Sequence, residues 1–189
     1  MVNILLNLPS WQITRVAGLL AYYLLFVGVS LGILYGMPGI KADWKKRLYG
    51  WHAWTQGAGF ILVILHVIIL VIDQFSPFTW GQLLVPFSYP EHRFAYGLGS
   101  LAFYGLLLVM LTTDFRMLMS RRTWLVLHMT AYPVFFLSLI HGLVGGTDTT
   151  STPIFWGYLF TAAALIAITL LRTGAESLKQ RRADARIHF

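Results

Sequence analysis

Five apolar runs separated by short polar punctuation set the plan of this chain. Val16–Met37 is free of charge and ends at Pro38-Gly39. Leu48–Ile72 follows a short basic stretch, Lys41 to Arg47, and is closed by Asp73. Phe94–Thr113, Thr123–Thr147 and Ile154–Leu171 complete the set. Each run is long enough to cross a hydrocarbon layer of roughly 30 Å as a helix. The pattern predicts an all-α, polytopic membrane bundle of five transmembrane helices.

The segments between the runs are less regular. Met1–Gln12 reads as a short interfacial lead, with Trp11 at headgroup level, and lacks the basic start of a signal peptide. Gln74–Arg93 is aromatic and broken by proline, so it predicts an interfacial connection with one short helix around Trp80–Val85. Residues 1–174 form the expected membrane domain, and 175–189 a basic tail that continues as a helix.

Composition supports a membrane protein. Of 189 residues 57% are hydrophobic and 11% charged, where soluble domains carry about 25% charged residues. The absence of Cys excludes disulfides, iron–sulfur clusters and covalent c-type haem attachment. The net charge of +7 is a matter of topology rather than of nucleic-acid binding. Twelve of the 14 Lys and Arg fall in the two basic connections and the tail, on one side of a five-span chain. The positive-inside rule then places the N-terminus outside and the C-terminus in the cytoplasm of a multi-pass cell-membrane protein. Gly97-Leu-Gly99 looks like the start of a dinucleotide fingerprint, but it lies in a membrane run without a preceding strand. No flavin or NAD domain is expected in the chain.

The second and fourth runs each carry two histidines and no charge: His52 and His66, then His128 and His141. Ionisable groups within a membrane are rare and usually functional. The two runs point the same way. His52 and His128 follow the basic residues Arg47 and Arg122 by five and six positions, and His66 and His141 each precede an Asp by seven. Histidines therefore pair by depth, His52 with His128 near the cytoplasmic side and His66 with His141 near the outer side. The 14-residue spacing of the second run's histidines, His52 and His66, keeps both rings within roughly 40° of one face and separates them by ~21 Å. The 13-residue spacing of the fourth run's, His128 and His141, leaves their rings roughly 140° apart on an ideal helix, with Pro133 between them as a source of a kink.

Two parallel helices offering imidazoles at equal depth suit the two axial positions of a haem iron. Zinc fits less well, because no Cys or carboxylate lies within the runs to complete a tetrahedron. The expected ligands are His52 and His128 for an inner haem iron and His66 and His141 for an outer one. Arg47 and Arg122, with Lys46 and Arg121, are candidates to neutralise inner haem propionates, and Arg93 to serve the outer haem. Trp51, Trp54 and Tyr132 are candidates to line the macrocycles. His92 and His188 read as surface residues.

These motifs resemble the ferric reductase-like transmembrane domain, the haem-binding core also found in NADPH oxidases and ferric-chelate reductases. The resemblance rests on the 13 residues between His52 and His66, on L-H-x3-Y-P-x7-H over Leu127–His141, on Pro77–Phe87 and on His141–Thr149. It extends from Arg15 to Gly174 and is nearest to small prokaryotic members. It implies two b-type haems and electron transfer from a cytoplasmic-side donor to an outer-side acceptor. The donor would be a separate flavin reductase or quinol. The acceptor would be a ferric chelate, oxygen or an extracytoplasmic redox protein, since a related stand-alone protein supplies a periplasmic methionine-sulfoxide reductase. The protein would thus be an oxidoreductase component with no catalytic side chain of its own. Two other readings remain at this stage: a quinol-oxidising cytochrome b subunit, and a metal or proton transporter with a histidine ladder.

Overall fold

A computed structural model describes residues 9–73 and 78–187. Among them there is no strand, and five helices or helix pairs are long and apolar enough to cross a membrane. The chain is an all-α bundle compatible with a multi-pass membrane protein. The helices are α1 (Ser10–Tyr35), α2 (Ala42–Ile72), α3 (Trp80–Leu84), α4 (Arg93–Asp114), α5 (Arg121–Met129), α6 (Ala131–Gly145) and α7 (Thr152–Ile187). Short 3₁₀ turns cover Arg116–Leu118 and Thr147–Thr150.

Local chemistry sets the helix ends. Gly36 donates its backbone N–H to the Gly32 and Ile33 carbonyls and closes α1 before Pro38, and Asp73 donates its backbone N–H to the Ile69 carbonyl at the end of α2. Thr79 and Gln82 form a reciprocal capping box that holds the five-residue α3. The Ser120 hydroxyl accepts from the Thr123 N–H at 3.1 Å and starts α5. Two further bonds pin α3 along α4: Ser100 Oγ to the Leu83 carbonyl at 2.7 Å, and Tyr104 OH to the Leu84 carbonyl at 2.5 Å.

Three boundaries differ from those read off hydrophobicity. The residues Lys45–Arg47 are not a loop but the first turns of α2, since Lys and Arg are good helix formers. The last helix, by contrast, continues into the tail as expected and runs 36 residues, about 54 Å at 1.5 Å per residue. That exceeds the membrane core by more than 20 Å, and the exposed residues of the tail lie on this extension. The short interfacial helix ends at Leu84. The N-terminal lead is partly helical, because Trp11 and Gln12 belong to α1; Met1–Leu8, Gln74–Pro77 and His188 lie outside the described residues.

The packing is uneven. Tyr22 and Ile33 of α1, Phe135 and Leu139 of α6, and Tyr158 and Leu165 of α7 make one buried cluster. Leu25, Leu106 and Val134 join α1, α4 and α6 in a second. Helix α2 stands apart: its one extensive helix partner is α1. The two helices are antiparallel in a single register, with Gly32 against His52, Gly28 against Gln56, Leu25 against Gly59 and Gly18 against His66. Most of the remaining surface of α2, including Ile61, Ile64 and Ile68, is exposed and apolar, as a face toward lipid requires. Helices α5 and α6, which carry the other two histidines, do not pack closely on α2. A gap therefore separates the two histidine-bearing spans.

Candidate histidine sites at two levels

The four rings lie between these spans in two pairs at separate levels. His52 and His128 face each other with ring centres 6.1 Å apart and planes at 70°. His66 and His141 line one cavity of about 190 Å³, built by α1, α2, α4, α6 and α7. The structure thus brings together the depth pairs expected from the sequence. Among the described residues no group of three His, Cys, Asp or Glu converges, so each level offers two imidazoles and no third donor of that kind.

Each ring is fixed through the same nitrogen. His52 Nδ1 lies 2.7 Å from the Gly28 carbonyl, His66 Nδ1 2.9 Å from the Thr14 carbonyl, and His141 Nδ1 2.8 Å from the Ala95 carbonyl. A carbonyl only accepts, so Nδ1 carries the proton and Nε2 keeps a free lone pair. His128 reaches the same state by another route. Its Nδ1 is 3.4 Å from Thr113 Oγ1, and that hydroxyl donates its single proton to the Val109 carbonyl at 2.7 Å. Toward His128 it can only accept. The bond is long, and the ring is also held by stacking on Trp124, with centres 5.0 Å apart and planes at 24°.

The break between α5 and α6 bears on the unequal spacing of the second span. Pro133 lacks an N–H and leaves the turn before it open to rearrangement. Thr130 takes up the slack: its N–H bonds the Leu127 carbonyl at 3.1 Å, and its hydroxyl bonds the same oxygen at 2.6 Å. This is a 3₁₀-type turn, which winds about 20° more per residue than an α-helix. Over three residues it reduces the offset between His128 and His141 from ~140° to ~80°.

Arg47 and Arg122 are exposed, and the Arg47 guanidinium lies over the Trp44 ring at 5.4 Å. Lys46, Arg121 and Arg93 are also exposed. None of these lines the cavity at His66 and His141; the guanidinium that does so belongs to Arg15. Arg15 is paired with Asp148, with Nε 2.8 Å from Oδ2 and Nη2 against Oδ1. Sequence reasoning counted Arg15 only as a charge. Trp51 and Trp54 are each 61% exposed and pack on each other, and Tyr132 packs against the main buried cluster. Trp124, which was not among the expected site residues, stacks on His128.

Polar atoms without partners mark both levels. Among the described residues three buried side-chain atoms, Thr14 Oγ1, Ser30 Oγ and Trp124 Nε1, make no hydrogen bond. Thr14 lines the cavity at His66, and Trp124 covers His128. Buried polar atoms are nearly always satisfied in folded proteins, so these two are suited to a bound group. Phe78, Tyr89 and Tyr96 form an aromatic triad with centres 4.7 to 5.1 Å apart, Phe78 stacked on Tyr89 and both edge-to-face with Tyr96, and Phe78 and Tyr96 line the cavity. Both glycines of Gly97-Leu-Gly99 have packing roles here: Gly97 receives the Phe87 ring and Gly99 the His141 ring.

No protein-family model matches the chain, and neither the curated proteins nor the solved structures include a match.

Proposed function

We propose that the chain holds two b-type haems, one between His52 and His128 and one between His66 and His141, and conducts electrons across the membrane. The observation that carries this reading is the common state of the four rings. Each donates from Nδ1 and presents a lone pair at Nε2, as metal-ligating histidines do. Two imidazoles bonded from opposite sides to one metal through bonds of about 2 Å have ring centres about 6 Å apart. The 6.1 Å between His52 and His128 fits that requirement. At the outer level the cavity lined by His66 and His141 is where a haem would bind, and it would bring the further donors that two imidazoles lack.

When bound, the haems supply one-electron redox chemistry; the residues here hold, space and insulate them. If two histidines hold each iron, neither would bind an acceptor directly, and the haems would pass electrons to it without a bond to the iron. The two levels lie 14 residues apart on α2, ~21 Å along its axis. The basic ends of α2, α5 and α7 lie on one side, which the positive-inside rule assigns to the cytoplasm of a cell membrane, with the N-terminus outside. Electrons then run from the His52–His128 level to the His66–His141 level. The donor is a separate flavin reductase or quinol. The acceptor is a ferric chelate, oxygen or an extracytoplasmic redox protein. At the outer level Arg15 places a cation where an anionic haem edge would need one, in competition with Asp148.

Proteoliposomes test this directly. Haem-loaded protein with a reductant on the basic side should reduce a ferric chelate on the other side; haem-free protein should not. Transfer with haem-free protein would contradict the reading. A C-terminal reporter should read as cytoplasmic, and an extracytoplasmic result would reverse the direction.

The 70° angle between His52 and His128 makes a spectroscopic prediction. Near-perpendicular axial imidazoles leave two iron d orbitals almost degenerate. The inner ferric haem should therefore give a strongly anisotropic low-spin EPR signal. A purely rhombic spectrum of the parallel-ligand type would show that the rings rotate on loading.

A further inference from the structure

Three of the four histidine rings sit on the same two-part seat, made by a neighbouring helix. His66 bonds the carbonyl of Thr14 and lies over Gly18; His52 bonds the carbonyl of Gly28 and lies over Gly32; His141 bonds the carbonyl of Ala95 and lies over Gly99. In each case the glycine follows the carbonyl by four residues, one helical turn further on the same face. The reason is steric. A ring that reaches a helical carbonyl from the side must lie across the next turn, where a side chain would stand.

The clearances show how tight the seats are. A Cβ on Gly99 would come 2.7 Å from His141 Cε1; on Gly18 it would come 3.1 Å from His66 Cε1, and on Gly32 3.2 Å from His52 Cε1. Two of the three seats lie on α1, 14 residues apart, which is also the spacing of His52 and His66 on α2. Helix α1 carries no histidine, yet its glycines and carbonyls match the ligand spacing of its neighbour.

We propose that Gly18, Gly32 and Gly99 are positioning residues. Each fixes the rotation and the Nδ1–H tautomer of one histidine from a neighbouring helix, and α1 serves both levels at once. The inference rests on the histidines being ligands, but the seats themselves are a property of the chain without a cofactor. His128 has no such seat, only Thr113 and Trp124, and is the least constrained of the four.

Alanine substitution at each seat tests this, because Ala favours a helix more than Gly does and any loss must come from the ring. Gly57 on α2 is the control, since nothing lies within 4 Å of a Cβ built there. Histidine ¹⁵N NMR on haem-free protein reads the tautomer. Haem retention and EPR on loaded protein read each level separately. Gly18→Ala should alter the His66 resonances, Gly99→Ala those of His141, and Gly32→Ala those of His52. In loaded protein the first two should disturb the outer haem alone and the third the inner haem alone. Gly99→Ala should weaken retention at least tenfold, in the range seen when outer-shell partners of metal-bound histidines are lost.

If Gly99→Ala fails to fold, the looser seats at Gly18 and Gly32 still decide the matter. Resonances and EPR signals that match Gly57→Ala in every variant would overturn the proposal while leaving haem binding intact. Shifted resonances in a chain that binds no haem would uphold the seats and remove the electron-transfer reading.

Discussion

His66→Ala should leave one haem per chain, that of the His52–His128 level, and should abolish transfer across the membrane. The ring it removes is held by the Thr14 carbonyl and seated on Gly18. No other imidazole or thiolate stands ready to replace it, because among the described residues no third such donor converges at that level. His128→Ala should have the complementary effect at the inner level. The two losses should be separable by EPR, since the strongly anisotropic signal belongs to the pair at 70°. The remaining haem would face a gap of ~21 Å, over which tunnelling is slow. Unchanged haem content in either variant would break the pairing by depth. The inner haem should also be the more easily lost of the two in the unmutated protein, because the Thr113–His128 bond is long at 3.4 Å.

The second large effect concerns stability. Arg15→Ala leaves the Asp148 carboxylate, 17% exposed, without its guanidinium. Fully buried pairs cost about 3–5 kcal/mol when one partner is removed, and exposed pairs contribute less than about 1. Arg15 itself is 38% exposed, which places the expected loss near 2 kcal/mol. The pair joins α1 to the turn after α6, residues 133 apart in sequence. Its loss should therefore lower the thermal midpoint of the whole bundle. Asp148→Asn should act in the same direction. The double variant Arg15→Leu/Asp148→Leu should be less destabilised than the two single losses together, because no unpaired charge remains. Thermal unfolding in detergent, read by circular dichroism, checks all three; additive losses would mean that the two charges do not depend on each other.

The elements that could be read from sequence were those announced by side chains. Five apolar runs gave five spans, and the depth of each histidine followed from the charged residues at the span ends. Helix lengths were less legible. Hydrophobicity marks where lipid begins and says nothing of whether Lys45–Arg47 stays helical beyond it, which its composition favours. Pro133 signalled a disturbance in the fourth span, but the winding at Thr130 depends on a hydroxyl and a backbone N–H sharing one carbonyl.

The contribution of α1 was hidden for a related reason. Its seats consist of backbone oxygens and missing side chains, which hydrophobic pattern does not register. The matching 14-residue spacing of Gly18 and Gly32 was nevertheless present beside that of His52 and His66. Arg15 was passed over because its partner, Asp148, lies at the far end of the chain, and the two meet only when α1 packs beside α6 and α7.

Haem stoichiometry tests the central claim most directly. Protein purified in detergent after expression with ample haem should contain two b-type haems per chain and show low-spin bands in the dithionite-reduced-minus-oxidised spectrum. A chain that takes up no haem under those conditions would contradict the account.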